Sequence, residues 1–146
     1  MKIAIASDHR GYTLKEQIKK ELSEKYEIID LGTNNTESVD YPKYGIKLGE
    51  TVLKDKDTIG IAICGTGIGM SIILNKINGI MCAKVATKEE ATLAKEHNNA
   101  NVIALSSHTP EKMAKEMINA FITSKPLQEE KYQRRINQIK DYENDR

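Results

Sequence analysis

The sequence predicts an α/β sandwich: one sheet of five parallel strands, helices on both faces, and an extra helix at the C-terminus. Three observations carry this. Short, nearly continuous apolar runs recur five times along the 146 residues, as strands buried on both faces do. Helical stripes, with apolar residues three or four positions apart, lie between them. Their alternation requires right-handed crossovers, and hence a parallel sheet in three layers.

The elements follow in order. Ile3-Ala4-Ile5-Ala6 is the first strand, and Leu14, Ile18 and Leu22 stripe the helix after it. Ile28-Ile29 marks the second strand, followed by a helix on Tyr44, Leu48 and Val52. The third strand runs from Ile59 to Ile63, with Ile68, Ile72, Ile73 and Ile77 in the next helix. Ile80 to Ala83 forms the fourth strand, and a short fourth helix opens on Thr87 and Glu90 at capping-box spacing. Val102 to Leu105 is the fifth strand. Thr109-Pro110 reads as an N-cap and a proline at the first helical position, ahead of Met113, Met117 and Phe121. Beyond Pro126, the residues Tyr132, Ile136, Ile139 and Tyr142 mark a sixth helix with no strand to follow. That helix is placed to cover an edge or to pack on another subunit. Residues 1–146 thus read as a single domain of Rossmann-like build.

Composition narrows the function. With 39% hydrophobic and 29% charged residues, the balance is that of a soluble globular protein. A net charge of +1 gives no footprint for nucleic acid, and the basic patch at Lys131, Arg134 and Arg135 is preceded by Glu129 and Glu130. No apolar stretch approaches 18 residues, and the N-terminus resembles neither a signal peptide nor a membrane span. Two cysteines cannot build a disulfide framework, which points to a reducing cytoplasm.

In an open parallel sheet, ligands bind outside the C-terminal ends of the strands. The first strand delivers Ser7-Asp8-His9 there, the third Cys64-Gly65-Thr66-Gly67-Ile68-Gly69, and the fifth Ser106-Ser107-His108. The glycines are spaced GxGxG, not GxGxxG, and no GK[ST] follows, which disfavours a dinucleotide and excludes a P-loop. Backbone N–H groups at a helix start favour negative charge. They would also lower the pKa of the Cys64 thiol from about 8.5, making it a base or nucleophile. Cys82, in mid-strand, reads instead as a small buried hydrophobe. Asp8 could equally cap the first helix. Asp8, His9 and Cys64 lack the spacing of a metal site, so neither metal nor cofactor is expected.

These residues fall into a pattern: SDHRGYTLK, DLGT at 30 to 33, DYP at 40 to 42, ICGTGIGMSI, NKINGI and EHNNANV. In that order they resemble type B ribose-5-phosphate isomerases and their galactose- and allose-6-phosphate relatives. The resemblance spans essentially the whole chain. It implies aldose–ketose isomerisation through an enediolate, most simply ribose 5-phosphate to ribulose 5-phosphate of the pentose phosphate pathway. A six-carbon 6-phosphate is the alternative substrate, and a non-enzymatic sugar-phosphate sensor the rival of another class. The resemblance makes Cys64 the base, because Met70 stands where one branch of the family has a glutamate. It makes Gly65, Thr66, Gly67, Ile68 and Gly69 the cradle of the intermediate, His97 the ring-opening acid, and Asp8, His9 and Asn98 substrate ligands. His108 and Lys131 replace arginines at the phosphate end, Arg135 keeps its arginine, and Tyr132 replaces a histidine.

Chain direction adds one expectation. His97 closes the fourth helix just before the fifth strand, about 15 Å of helix from the edge that carries Cys64. If both act on one substrate, they belong to different subunits of a homodimer, or of a tetramer built from such dimers.

Overall fold

The computed structural model describes residues 1–145. Its elements in chain order are β1 (Lys2–Ser7), α1 (Tyr12–Leu22), β2 (Glu27–Asp30), α2 (Tyr41–Leu53), β3 (Thr58–Cys64) and α3 (Ile68–Asn75). They continue with β4 (Cys82–Lys84), α4 (Lys88–Asn98), β5 (Val102–Ser106), α5 (Glu111–Thr123) and α6 (Glu130–Asn144). The strands form one sheet in the order β2-β1-β3-β5-β4, and every neighbouring pair is parallel. The chain thus has the expected α/β sandwich. None of its described helices is long and apolar enough to cross a membrane.

Side-chain size sorts the two faces. Ile3, Ile5, Ile61, Ile63, Ile103 and Leu105 point to the face covered by α1, α4 and α5. The helices fill that face with Leu14 and Ile18 from α1, Met117, Ile118 and Phe121 from α5, and the small Ala91, Ala94, Ala114 and Ala120. On the other face the strands offer Ala4, Ala6, Ala62 and Ala104, and α2 and α3 supply Leu48, Val52, Met70 and Leu74. On this second face large helix residues meet small strand residues, so a core with a single phenylalanine and no tryptophan still packs closely. Gly45 and Gly49 let α2 seat against α3: a Cβ on either would come within 2.6 Å and 2.5 Å of Ile73 and Ile77 respectively.

Four local expectations change. The β4 strand starts at Cys82, not Ile80, because the Met81 N–H donates to the Asn101 side chain. Cys82 is therefore the first residue of an edge strand and half-buried; burial still pushes its thiol up to about 12. With 11 residues, α4 outruns the eight of α3 and is not the short helix expected. Its reciprocal cap is present: the Glu90 N–H donates to Thr87 Oγ1 and the Ala86 N–H to Glu90 Oε1. In α5 the cap shifts by one, since the Pro110 carbonyl accepts the first helical bond, from Ala114; Thr109 lies outside the helix.

A buried ion network ties α1 to β2. Lys15 is fully buried, with Nζ 2.7 Å from Asp30 Oδ2 and 2.9 Å from Glu16 Oε2, and Lys19 reaches the same two carboxylates. Burial opposes the Asp30 charge, but hydrogen bonds from Lys15, Lys19 and the Gly32 N–H outweigh it and hold the carboxyl below its usual range. Because the folded value is depressed, this stabilisation is complete above about pH 4 and is lost as pH falls through the folded value. Asp30→Ala, which deprives buried Lys15 of its main partner, should cost about 3 kcal/mol at pH 7. Urea unfolding should show that deficit shrinking from pH 4 to pH 2; a deficit constant over that range would remove the network from the account.

Candidate active site

Between β1 and β3 the chain changes direction across the sheet: α1 leaves β1 over one face, and α3 leaves β3 over the other. The two helices diverge there and open a crevice at the strand ends, the usual ligand position in such sheets. Asp8 and His9 lie on one side of it, and Cys64 with the glycine loop on the other.

Asp8 is buried, and its Oδ1 accepts the N–H groups of Arg10 and Gly11 at 3.0 and 3.1 Å. It shapes the turn into α1, but Gly11, not Asp8, is the N-cap residue. The second oxygen, Oδ2, has no hydrogen-bond partner among the described residues. His9 Nδ1 accepts the Val39 N–H at 3.1 Å. An accepting Nδ1 carries no proton, so the neutral ring holds its hydrogen on Nε2. Val39 lies in the segment between β2 and α2, whose start is held by Asp30 through the Gly32 N–H.

Cys64 is the last residue of β3 and is buried, its side chain on the α2 and α3 face. Serines from the end of β5 hold the loop that follows. The Ser107 N–H donates to the Cys64 carbonyl at 2.9 Å, and Ser106 Oγ donates to the Gly65 carbonyl at 2.8 Å. Thr66 Oγ1 accepts the Ile68 N–H, and Gly67, with φ +80°, caps α3. The first turn of α3 leaves further N–H groups without intrahelical acceptors. Gly69 lies under the Tyr41 ring and Gly65 under the Arg10 side chain, where a Cβ would meet carbon atoms at 2.5 and 2.9 Å. His108 is exposed on the same edge, its N–H donating to Ser106 Oγ.

The remaining predicted residues lie at the other end. Cys64 pairs in register with Ser106, at the end of β5, whereas α4 closes at Asn98, before β5 begins at Val102. Four strand steps separate those levels, roughly 13 Å. Asn98 accordingly lines a groove with Thr58, Ile59 and Asn101, where β3 and β5 begin. Its neighbours in EHNNANV are structural: Asn99 ends α4 at φ 47°, and the Asn101 side chain bonds Met81 and Gly79. His97 stacks on Tyr132, centroids 4.5 Å apart and planes 13° from parallel. Lys131 Nζ lies 5.0 Å from the same phenol ring, and Arg135 follows one turn along α6. The Leu127 N–H donates to the Glu96 carbonyl and seats this segment on α4.

The structure brings Asp8, His9, Cys64, Gly65 to Gly69 and His108 to one edge of the sheet; it brings His97, Asn98 and Lys131 to the other, with Arg135 one turn further along α6. Ser106, Ser107, Tyr41 and Arg10 also contact the glycine loop. The two serines were legible as polar residues at a strand end, but nothing in the pattern signalled where Tyr41 and Arg10 would land.

Residues 3–139 match the family model described as Ribose/Galactose Isomerase. The chain belongs to this family. A ribose-5-phosphate isomerase B of Mycolicibacterium paratuberculosis is 35% identical, over 98% of this chain and 92% of the relative. A Clostridium thermocellum ribose-5-phosphate isomerase B superposes with TM-score 0.94 at 39% identity, covering 99% of both chains. The Mycoplasma genitalium enzyme, solved with bound ribulose 5-phosphate, gives TM-score 0.92 at 36% identity over 99% of this chain and 97% of that one.

The loop geometry is directly testable. A methyl group at position 67 would sit 3.1 Å from the Leu105 carbonyl carbon on a backbone at φ +80°. Gly67→Ala should therefore destabilise the fold by about 2 kcal/mol, read as a fall in urea midpoint; an unchanged midpoint would show that the loop is not held as described.

Proposed function

We propose that this protein interconverts ribose 5-phosphate and ribulose 5-phosphate in a site shared by two copies of the chain. The observation that carries the reading is the buried thiol of Cys64 at the mouth of a glycine loop in an isomerase-family fold. The chemistry requires a base for the proton α to the carbonyl, donors for the oxyanion and an acid for ring opening. Met70 is buried in the core beneath the loop, so Cys64 is left as the base. Its thiolate takes the C2 proton of the open-chain aldose and returns it to C1, while a proton moves from the C2 hydroxyl to the C1 oxygen. N–H groups of the Gly65 to Gly69 loop, apart from that of Ile68, which Thr66 Oγ1 takes, carry the enediolate charge. Asp8 Oδ2 and His9 Nε2–H hold substrate hydroxyls, and no metal or other cofactor enters.

The second copy supplies the other half-site. Ile68 and Ile72, one turn apart on α3, are 50% and 55% exposed, an apolar ridge suited to a partner. Two α3 helices packed antiparallel along it would set the Gly67 end of one against the Asn75 end of the other. Asn75 shares a groove with Asn98, so the partner's His97 and Asn98 would approach Cys64. His97 would then open the furanose ring, and Lys131 and Arg135 would join His108 at the phosphate. Two thiols without a disulfide suit a reducing compartment, the cytoplasm.

Cys64→Ala should lower turnover of ribose 5-phosphate by about 10²–10⁴-fold and leave the circular-dichroism spectrum and melting curve in place. Turnover within a few-fold of wild type would remove Cys64 as base. The same assay with allose 6-phosphate and galactose 6-phosphate decides between five- and six-carbon substrates.

A further inference from the structure

We infer that Arg10 is a phosphate ligand of the site, supplying a guanidinium on the Cys64 edge, the edge that also carries His108. The inference rests on the reading of the protein as a sugar-phosphate isomerase. Arg10 lies in the turn after β1, its backbone N–H held by Asp8. Its side chain crosses the crevice: a Cβ built on Gly65 would lie 2.9 Å from both Cδ and Nη1 of Arg10. Arg10 is exposed and its guanidinium makes no ion pair or hydrogen bond among the described residues, so it stands beside the loop in solvent with its donors open to a ligand. A guanidinium is charged at every working pH and presents a fork of donors that suits a phosphate, whereas a histidine is charged only in part near neutrality.

The placement favours the phosphate over the enediolate. Side chains alternate along a strand: Cys64 points to the α2 and α3 face, and the Cβ direction of Gly65 points to the opposite side, where Arg10 lies. The thiol and the guanidinium therefore flank the end of β3 from opposite faces. A five-carbon chain whose C1 and C2 reach the thiol must extend its phosphate away from it, and across the crevice it meets Arg10 beside His9. Gly65 is required for this arrangement, because any side chain there would displace the guanidinium.

The test is steady-state kinetics on the full-length chain, with inorganic phosphate as competitive inhibitor. Arg10→Gln should raise both KM for ribose 5-phosphate and the phosphate Ki about tenfold or more while kcat stays within about threefold. Arg10→Lys should recover part of both constants. Melting curves of the variants check the fold. If wild type turns over and Arg10→Gln leaves KM and Ki within twofold, the inference is overturned. It is overturned also if kcat falls while the phosphate Ki is unchanged, since Arg10 would then act at the reacting end. Should wild type fail to turn over any of the sugar phosphates, the functional reading fails separately, and phosphate affinity measured by calorimetry on wild type and Arg10→Gln still decides the role of Arg10.

Discussion

Chain direction governs this protein. In a parallel sheet every strand ends at one edge and every crossover helix ends at the other. Cys64 closes a strand and His97 sits in the last turn of a helix, so one copy of the fold holds them at opposite edges whatever its packing details. The His97–Tyr132 stack, the seating of α6 on α4 and the exposed ridge of α3 become intelligible once that separation is accepted. They group His97, Asn98 and Tyr132 away from Cys64, and Cys82 lines the groove that Asn98 shares with Asn75. In the proposed shared site, base, cradle and acid come together when a second copy reverses the direction.

The crevice at the Cys64 edge is built by packing that begins in the sequence. Alanines on one face of β1, β3 and β5 admit α2 and α3 closely, and glycines within α2 bring α3 closer still. The start of α3 is thereby set against the strand ends, and Ser106 and Ser107 tie the loop to β5. On the far side, the Lys15–Asp30 network braces the segment that hands Val39 to His9. The first positions the glycine loop and the second braces the chain leaving β2, so the two walls of the crevice are positioned by separate interactions.

Much of this was legible beforehand. Five apolar runs alternating with helical stripes specify a parallel α/β sandwich, and the strand-end rule pointed to Asp8, His9, Cys64 and the glycine loop before any resemblance was invoked. The opposed position of His97 followed from helix length alone. Strand order was less accessible, because periodicity records burial and not neighbours. The start of β4 was misplaced because Asn101, twenty residues on, takes the Met81 N–H that would otherwise extend the ladder. Arg10 went unassigned for a similar reason: its path depends on the turn built by Asp8 and on the space left by Gly65. Side chains that land through tertiary geometry leave no period in the sequence.

The shared site is the claim most exposed to a single measurement. Cys64→Ala and His97→Ala chains, each inactive alone, are unfolded together, refolded as a mixture and assayed on ribose 5-phosphate. Random pairing into dimers makes about half of them mixed, and each mixed dimer holds one site with both Cys64 and His97 intact. Recovery approaching a quarter of wild-type turnover per chain is the predicted result. No recovery from dimers verified as mixed by mass spectrometry would contradict it.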